Sequence, residues 1–205
     1  MASVKPTRPE YLRLKQQKKL AQKGHKLLKD KRDGLIREFL SVVKEAIELR
    51  QKLDTELPEA LRRYRLAQSQ AGADKLANIA RSSEASVSIS SESENIMGVG
   101  IANLESNIKG EAFSYGVLGT PYDLDASLIK FKEIMPDLIR LAELEYAARK
   151  LAEEIEKTRR RVNSLEHIII PETDENMDYI NTKLEEEARQ EKSLLLKVKE
   201  LIDTT

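Results

Sequence analysis

Apolar residues recur every seven positions at Leu14, Ala21, Leu28, Leu35, Val42 and Leu49. Phe39, Ala46 and Leu53 fill the intermediate position, so the stretch from Leu35 to Leu53 advances in alternating steps of four and three. That spacing is a coiled-coil seam. Toward the N-terminus the companion positions are Lys18, His25 and Arg32, and the seam is poorer there. Between Tyr11 and Ser69 the only helix-breaking residues are Pro58, Gly24 and Gly34. A helix of about 60 residues would be about 90 Å long. A stripe of this kind cannot hold such a helix together in water unless a partner covers it.

The second half of the chain supplies that partner. Leu144, Ala148, Leu151, Ile155, Thr158, Val162, Leu165 and Ile169 keep the same four–three spacing. Leu124, Leu128, Phe131, Leu138 and Leu141 extend the stripe upstream, with a phase shift near Leu141. Glu145–Arg149, Glu153–Lys157 and Glu156–Arg160 are spaced as favourable pairs on the solvent side. Pro171 interrupts the pattern, and Met177, Ile180, Leu184, Leu194, Val198 and Leu201 then carry a further stripe toward the C-terminus. The middle is different. Ser82 to Glu105 is rich in serine and alternates at Val87 and Ile89, and glycines recur at 98, 100, 110, 116 and 119. Residues of about 85–118 read either as a small β-hairpin or as a serine-rich linker, and the alternation favours the hairpin. The expected fold is all-α: a long antiparallel two-helix coiled coil with a small central β-hairpin or irregular knob. Residues 1–70 form its first helix, 71–122 the knob, and 123–205 the second helix, broken near 171. Facing residues should have numbers adding to roughly 190, since the chain folds back at the knob.

Lys26, Lys29, Lys31 and Arg32 crowd the stretch GHKLLKDKRDGL, Gly24 to Leu35. It lacks the Gly-Lys-Ser/Thr ending and the preceding strand of a phosphate loop. Leu28 and Leu35 keep it in the seam, so it reads as helix. The folded-back register adds Arg159, Arg160 and Arg161 at the same level. This basic collar is either a solvated face or a contact for an acidic ring or loop. The chain as a whole is neutral, with 35 Lys+Arg against 35 Asp+Glu, which argues against a nucleic-acid partner. Lys5 to Arg37 is basic and the segment from Glu172 is acidic, so mutual attraction would help fix an antiparallel register. His25 and His167 fall near one level but have no cysteine or carboxylate set to complete a metal site. There is no cysteine at all, and no Ser-His-Asp arrangement or glycine-rich nucleotide loop. Catalytic, cofactor-binding and metal-binding residues are therefore not expected. No apolar run approaches the length of about 20 residues that spans a bilayer, and the start MASVKPTRPE lacks the apolar region of a secretory signal. Leu194, Leu195, Leu196, Val198 and Leu201 are more apolar residues than one seam uses, and suggest a tip seated in a collar made by other proteins.

Four stretches together carry a resemblance: Pro6 to Arg8, Gly24 to Asp33, Met97 to Val99, and Arg160 to Pro171. They resemble, in order and over nearly the whole chain, the signatures of the D subunit of A-type and V-type rotary ATPases. One departure is Gly34, where a better helix former would be expected; glycine mid-helix costs about 1 kcal/mol. The resemblance implies a non-catalytic central rotor shaft that carries torque between the catalytic ring of A and B subunits and the membrane ion-translocating rotor. It implies the F subunit and the C (or d) subunit as further partners, and a peripheral position on the cytoplasmic side of the membrane. In that setting the collar of Lys26, Lys29, Lys31, Arg32, Arg159, Arg160 and Arg161 would meet the ring, and the apolar tip would turn in a bearing. A free-standing coiled-coil scaffold or chaperone-like arm is the alternative that shares the helices but needs no ring.

Overall fold

The computed structural model describes residues 5–82, 86–110 and 120–203, with side chains for all but 80–82 and 200–203. The elements in chain order are α1 (Arg8–Ala71), α2 (Ala73–Ser82), β1 (Ser86–Ile96), β2 (Val99–Lys109), α3 (Tyr122–Ser164), a π-helical turn (Leu165–Ile169) and α4 (Ile170–Asp203). The long helix α1 pairs with α3 and α4, and the two strands form one small antiparallel sheet. Two compact units divide the chain: Gly34–Ile155, and the flanking segments up to Asp33 and from Glu156.

In the unit of Gly34–Ile155 the two helices run antiparallel. Lys52 donates to Asp137 at 2.6 Å, Arg50 to Glu145 at 3.1 Å, and Gln70 to Asp123 at 3.2 Å. The residue numbers of these three pairs add to 189, 195 and 193, close to the sequence-based sum. Three apolar clusters lie among the described residues of this unit. Leu53, Ala60 and Ile134 form one, with Leu49, Phe131, Leu138 and Leu141 packed against them. Ile134 is fully buried although it stands outside the stripe read from the sequence. Ala67, Leu76 and Leu124 form a second. Leu76 comes from α2, a short helix inside the segment read as the knob. Gly72, in the left-handed region at φ 84°, separates it from α1, the use of glycine at a helix end that a side chain would strain.

The third cluster joins the hairpin to the helix pair: Leu35, Val99, Ile101, Ala147 and Leu151, flanked by Phe39, Val42, Ile96 and Ile155. The strands pair one-to-one from Ser86↔Lys109 to Ile96↔Val99. Met97 and Gly98 make the two-residue turn, both at positive φ (52° and 87°), as a turn matching the twist of a hairpin requires. The Asn95 side chain accepts a hydrogen bond from the Gly98 amide at 2.8 Å. This tip explains Gly34. A Cβ there would lie 2.6 Å from Met97 Cε and 3.1 Å from its Sδ. Glycine leaves the space into which the turn's methionine packs.

Pro58 and Pro136 lie inside α1 and α3 without ending them. Each leaves the carbonyl four residues earlier, of Asp54 and of Lys132, without its helical donor, and both residues are exposed, where water can serve. Two of the anticipated i,i+4 pairs are replaced. Glu145 pairs across to Arg50, and Glu153 pairs with Lys150 at 3.4 Å; only Arg160–Glu156 forms, at 2.8 Å. Glu145 can reach an arginine on the other helix, and i,i+3 neighbours compete equally with i,i+4 on a helix surface.

The packing at Gly34 predicts a coupled stability effect. Gly34→Ala removes a helix cost of about 1 kcal/mol but displaces the Met97 side chain. In a Met97→Ala background Gly34→Ala should therefore stabilise by about 1 kcal/mol, and by less in the native background. Equal effects in chemical denaturation of the two backgrounds would contradict the contact.

Candidate functional site

The unit formed by the segments up to Asp33 and from Glu156 holds the residues singled out for function. Its helices are held by Leu14, Val162 and Ile180, all buried, with half-buried Leu28 and Leu165. An ion pair and a hydrogen bond fix the antiparallel register: Lys18–Asp174 at 2.6 Å and His25–Glu166 at 3.2 Å, whose numbers add to 192 and 191. The first joins the basic N-terminal segment to the acidic one after Glu172. The second gives His25 one carboxylate partner, short of the ligand set that a metal site needs. His25 is half-buried and its Nε2 lies on Glu166 Oε2, while His167 is exposed. The folded-back register already brings His25 and Glu166 to one level, and Glu166 itself lies in the π-helical turn Leu165–Ile169. In it the Ile170 amide donates to the Leu165 carbonyl. Pro171 follows at once; it has no N–H for the His167 carbonyl and its ring crowds that carbonyl in an α-helix. A wider turn relieves the conflict. Thr173 then donates its hydroxyl to the Ile169 carbonyl at 2.6 Å.

Around this level stand the basic side chains. Lys26, Lys29, Arg159, Arg160 and Arg161 are exposed, and Lys31 and Arg32 are half-buried. Arg32 donates to Asp33 at 2.8 Å and Arg160 to Glu156 at 2.8 Å, so part of the positive charge is locally compensated. Lys29 also acts on Glu166. The hydrogen bond from His25 holds the Glu166 carboxyl below its usual range; burial opposes it, and the nearby charges of His167, His25 and Lys29 add to the lowering.

Farther along, Arg8, Tyr11 and Leu12 of α1 face Asn181, Leu184, Glu185 and Ala188 of α4 across an open groove of about 390 Å³. There α1 begins, and α4 continues without it. Leu194, Leu195, Leu196 and Val198 are accordingly exposed at 62%, 69%, 63% and 51%. Leu201 lies beyond the described side chains. The seam residues are placed inside: Leu35, Leu53, Leu144, Leu151 and Val162 are buried, and Leu28, Phe39, Val42, Ala46, Leu49, Ala148, Ile155 and Leu165 half-buried. Among the described residues no three His, Cys, Asp or Glu side chains converge as a metal site. The one buried carboxylate among them, Glu143, is occupied by Arg140 and by the Leu104 amide at 3.2 Å. What this arrangement offers is charged and apolar contact surface on paired helices.

Comparison with known proteins agrees with this description. The family pattern of the ATP synthase D subunit matches residues 10–200. The chain is 39% identical over 204 residues to the V-type ATP synthase D subunit of Thermoanaerobacter sp. (strain X514), covering 98% of each chain. It is 41% identical over 203 residues to the A-type ATP synthase D subunit of Thermococcus sibiricus, covering 98% of this chain and 95% of the other. With the V-type ATP synthase D subunit of Clostridioides difficile it shares 39% over 203 residues, 98% and 91% of the two chains. Fold and surface thus define a helix-paired protein that presents charged and apolar contact surface. The chain belongs to the family of ATP synthase D subunits. It is accordingly one component of a rotary A/V-type ATP synthase complex.

The His25–Glu166 contact has a pH signature. Because the folded Glu166 carboxyl titrates below its ordinary value, the stability it contributes is present above the ordinary carboxylate range and is lost as pH falls through the folded value. His25→Ala should move the Glu166 carboxyl titration, followed by carboxyl-carbon NMR, upward toward the ordinary range. An unmoved titration would show that His25 is not the cause.

Proposed function

We propose that the chain is the central rotor shaft of its complex, transmitting torque between the catalytic A/B ring and the membrane ion-translocating rotor. The observation that carries this reading is the antiparallel pairing of α1 with α3 and α4, in which chemistry-bearing groups lie on the outside. Paired helices resist bending and twisting more than one helix does. A helix pair with an uneven surface can make different contacts in successive orientations, which couples rotation to the state of a surrounding ring. The A and B subunits would meet the collar of Lys26, Lys29, Lys31, Arg32, Arg159, Arg160 and Arg161. The exposed leucines of α4 would turn in an apolar bearing, where nondirectional contacts resist rotation less than hydrogen bonds would. The F subunit and the C (d) subunit would connect the shaft toward the membrane rotor. No helix among the described residues is long and apolar enough to cross a membrane, in keeping with a peripheral subunit on the cytoplasmic side.

Reconstitution tests this. The chain mixed with an A/B ring and the F subunit should enter a stoichiometric complex with one copy per ring and change its ATP turnover. A chain that stays apart and leaves turnover unchanged would leave a free-standing scaffold as the reading. Within the complex, reversing Lys26, Lys29, Arg159 and Arg161 to glutamate should lower the coupled ATPase rate by about fivefold or more, the low end of typical coupling energies. The melting temperature should hardly change, because these four side chains are exposed. An unchanged coupled rate would remove the collar from the mechanism.

A further inference from the structure

The hairpin has two edges, and the chain treats them differently. The amide of Leu104 in β2 donates to Glu143 of α3 at 3.2 Å. That amide therefore points away from β1. In an antiparallel ladder opposed residues alternate between pairs that exchange hydrogen bonds and pairs whose backbone groups face outward. Ser91, opposite Leu104, thus turns its own N–H and C=O outward on the far edge. By alternation so do Val87, Ile89, Ser93 and Asn95. On the β2 edge the Leu104 amide is taken by α3, whereas β1 is exposed along Ser86–Asn95.

This edge lacks most of the usual protections. Its pairing register has no bulge, it contains no proline, lysine or arginine, and it is 11 residues long. Proteins normally blunt free edges with such devices because an open edge recruits another strand. The side chains that remain are selective. Glu92 and Glu94 point to one face of β1, joined there by Glu105, which stands opposite Ser90. Among the described residues none of these three carboxylates is held in an ion pair. On the other face Val87 and Ile89 are exposed at 44% and 56%.

We propose that the free edge of β1 receives an extended segment of another protein chain by strand addition. The segment would be basic where it passes Glu92 and Glu94 and apolar where it passes Val87 and Ile89. Backbone hydrogen bonds at alternate residues would supply affinity, and the charge pattern would supply selectivity. The carboxylates would repel acidic strands while admitting a basic one.

The test uses the full chain and a short synthetic peptide alternating valine and lysine, with a valine–glutamate peptide as control. Hydrogen exchange at the amides of Val87, Ile89, Ser91, Ser93 and Asn95 should slow at least severalfold with the lysine peptide and stay unchanged with the control. Ser91→Pro deletes one outward N–H and leaves the β1–β2 ladder intact, the setting in which edge strands tolerate proline. It should abolish the slowing while the inward amides of Ser90, Glu92 and Glu94 stay protected. Should the proline loosen the hairpin instead, Glu92→Lys with Glu94→Lys provides the second variant, and the preference should invert toward the glutamate peptide. Outward amides that exchange at one rate with and without the lysine peptide at millimolar concentration would overturn the proposal, as would equal slowing by both peptides. These measurements require no ring subunits. A chain that assembles and drives the complex while its edge binds nothing would separate failure here from failure of the shaft reading.

Discussion

A helix of 64 residues persists only if something covers its apolar stripe. Everything else in this chain follows from how that cover is made. Leu35, Leu53, Ala60 and Ala67 of α1 are buried, and they meet Ala147, Leu151, Ile134 and Leu124 of α3. Burying a leucine or isoleucine side chain contributes about 1.5–3 kcal/mol, so these layers dominate the stability of the unit. The alanines at 60 and 67 let the helix backbones approach. Ser127 uses that proximity to donate its hydroxyl to the Ala60 carbonyl at 3.3 Å, and so reaches full burial without an unmet hydrogen bond.

The apolar layers alone would permit a slip by one heptad. Charged pairs remove that freedom. Lys52–Asp137 and Arg50–Glu145 in one unit, and Lys18–Asp174 and His25–Glu166 in the other, each join a basic side chain on α1 to a carboxyl group on the opposite helix. A slip of seven residues would break all four. Exposed pairs of this kind contribute little individually, so their effect is on register rather than on overall stability. Arg140 illustrates the division: it reaches across to Glu45 at 3.0 Å and also along its own helix to Glu143. Glu143 in turn holds the Leu104 amide. One run of linked side chains thus ties α1, α3 and the hairpin together.

The helix pairing was legible because a seven-residue repeat is a long-range, redundant signal. Losing one position, such as His25 or Arg32, does not hide it. The hairpin was only half legible: alternation at Val87 and Ile89 marks a strand, but serine at the other sites serves a linker as well. What decided it is tertiary, the burial of Val99 and Ile101 against Leu35 and Leu151. Gly34 shows the same limit. In the sequence it is an unfavourable helix residue; in the fold it is the space for Met97, 63 positions away in the chain. Ile134 and helix α2 escaped for a different reason. Ile134 falls in the gap that the stripe leaves between Phe131 and Leu138, and α2 has only Leu76 and Ile79 to announce it, too few for a period. The folded-back register brings His25 level with Glu166, but the contact itself needed side-chain positions. Of the candidate surface, the clustering of cations could be read directly, whereas their compensation by Asp33 and Glu156 needed side-chain positions.

An interior sealed this way has consequences for how the protein can act. Its buried polar groups, among the described residues, are Ser127, Glu143, Thr158 and Thr173. The lone carboxylate among them already holds two donors, so proton transfer inside would first have to break structural bonds. If the chain transmits torque as proposed, that work would pass through its surface. A surface can transmit force only if the side chains that bear it are attached to something that does not yield. Here the exposed cations at 26, 29, 159 and 161 rise from helices whose inward faces carry Leu14, Val162 and Ile180. Displacing those cations along the helix would mean unpacking the layer beneath, whereas swinging their long side chains costs little. The same surface can therefore adapt to changing partners at its tips while remaining stiff at its base.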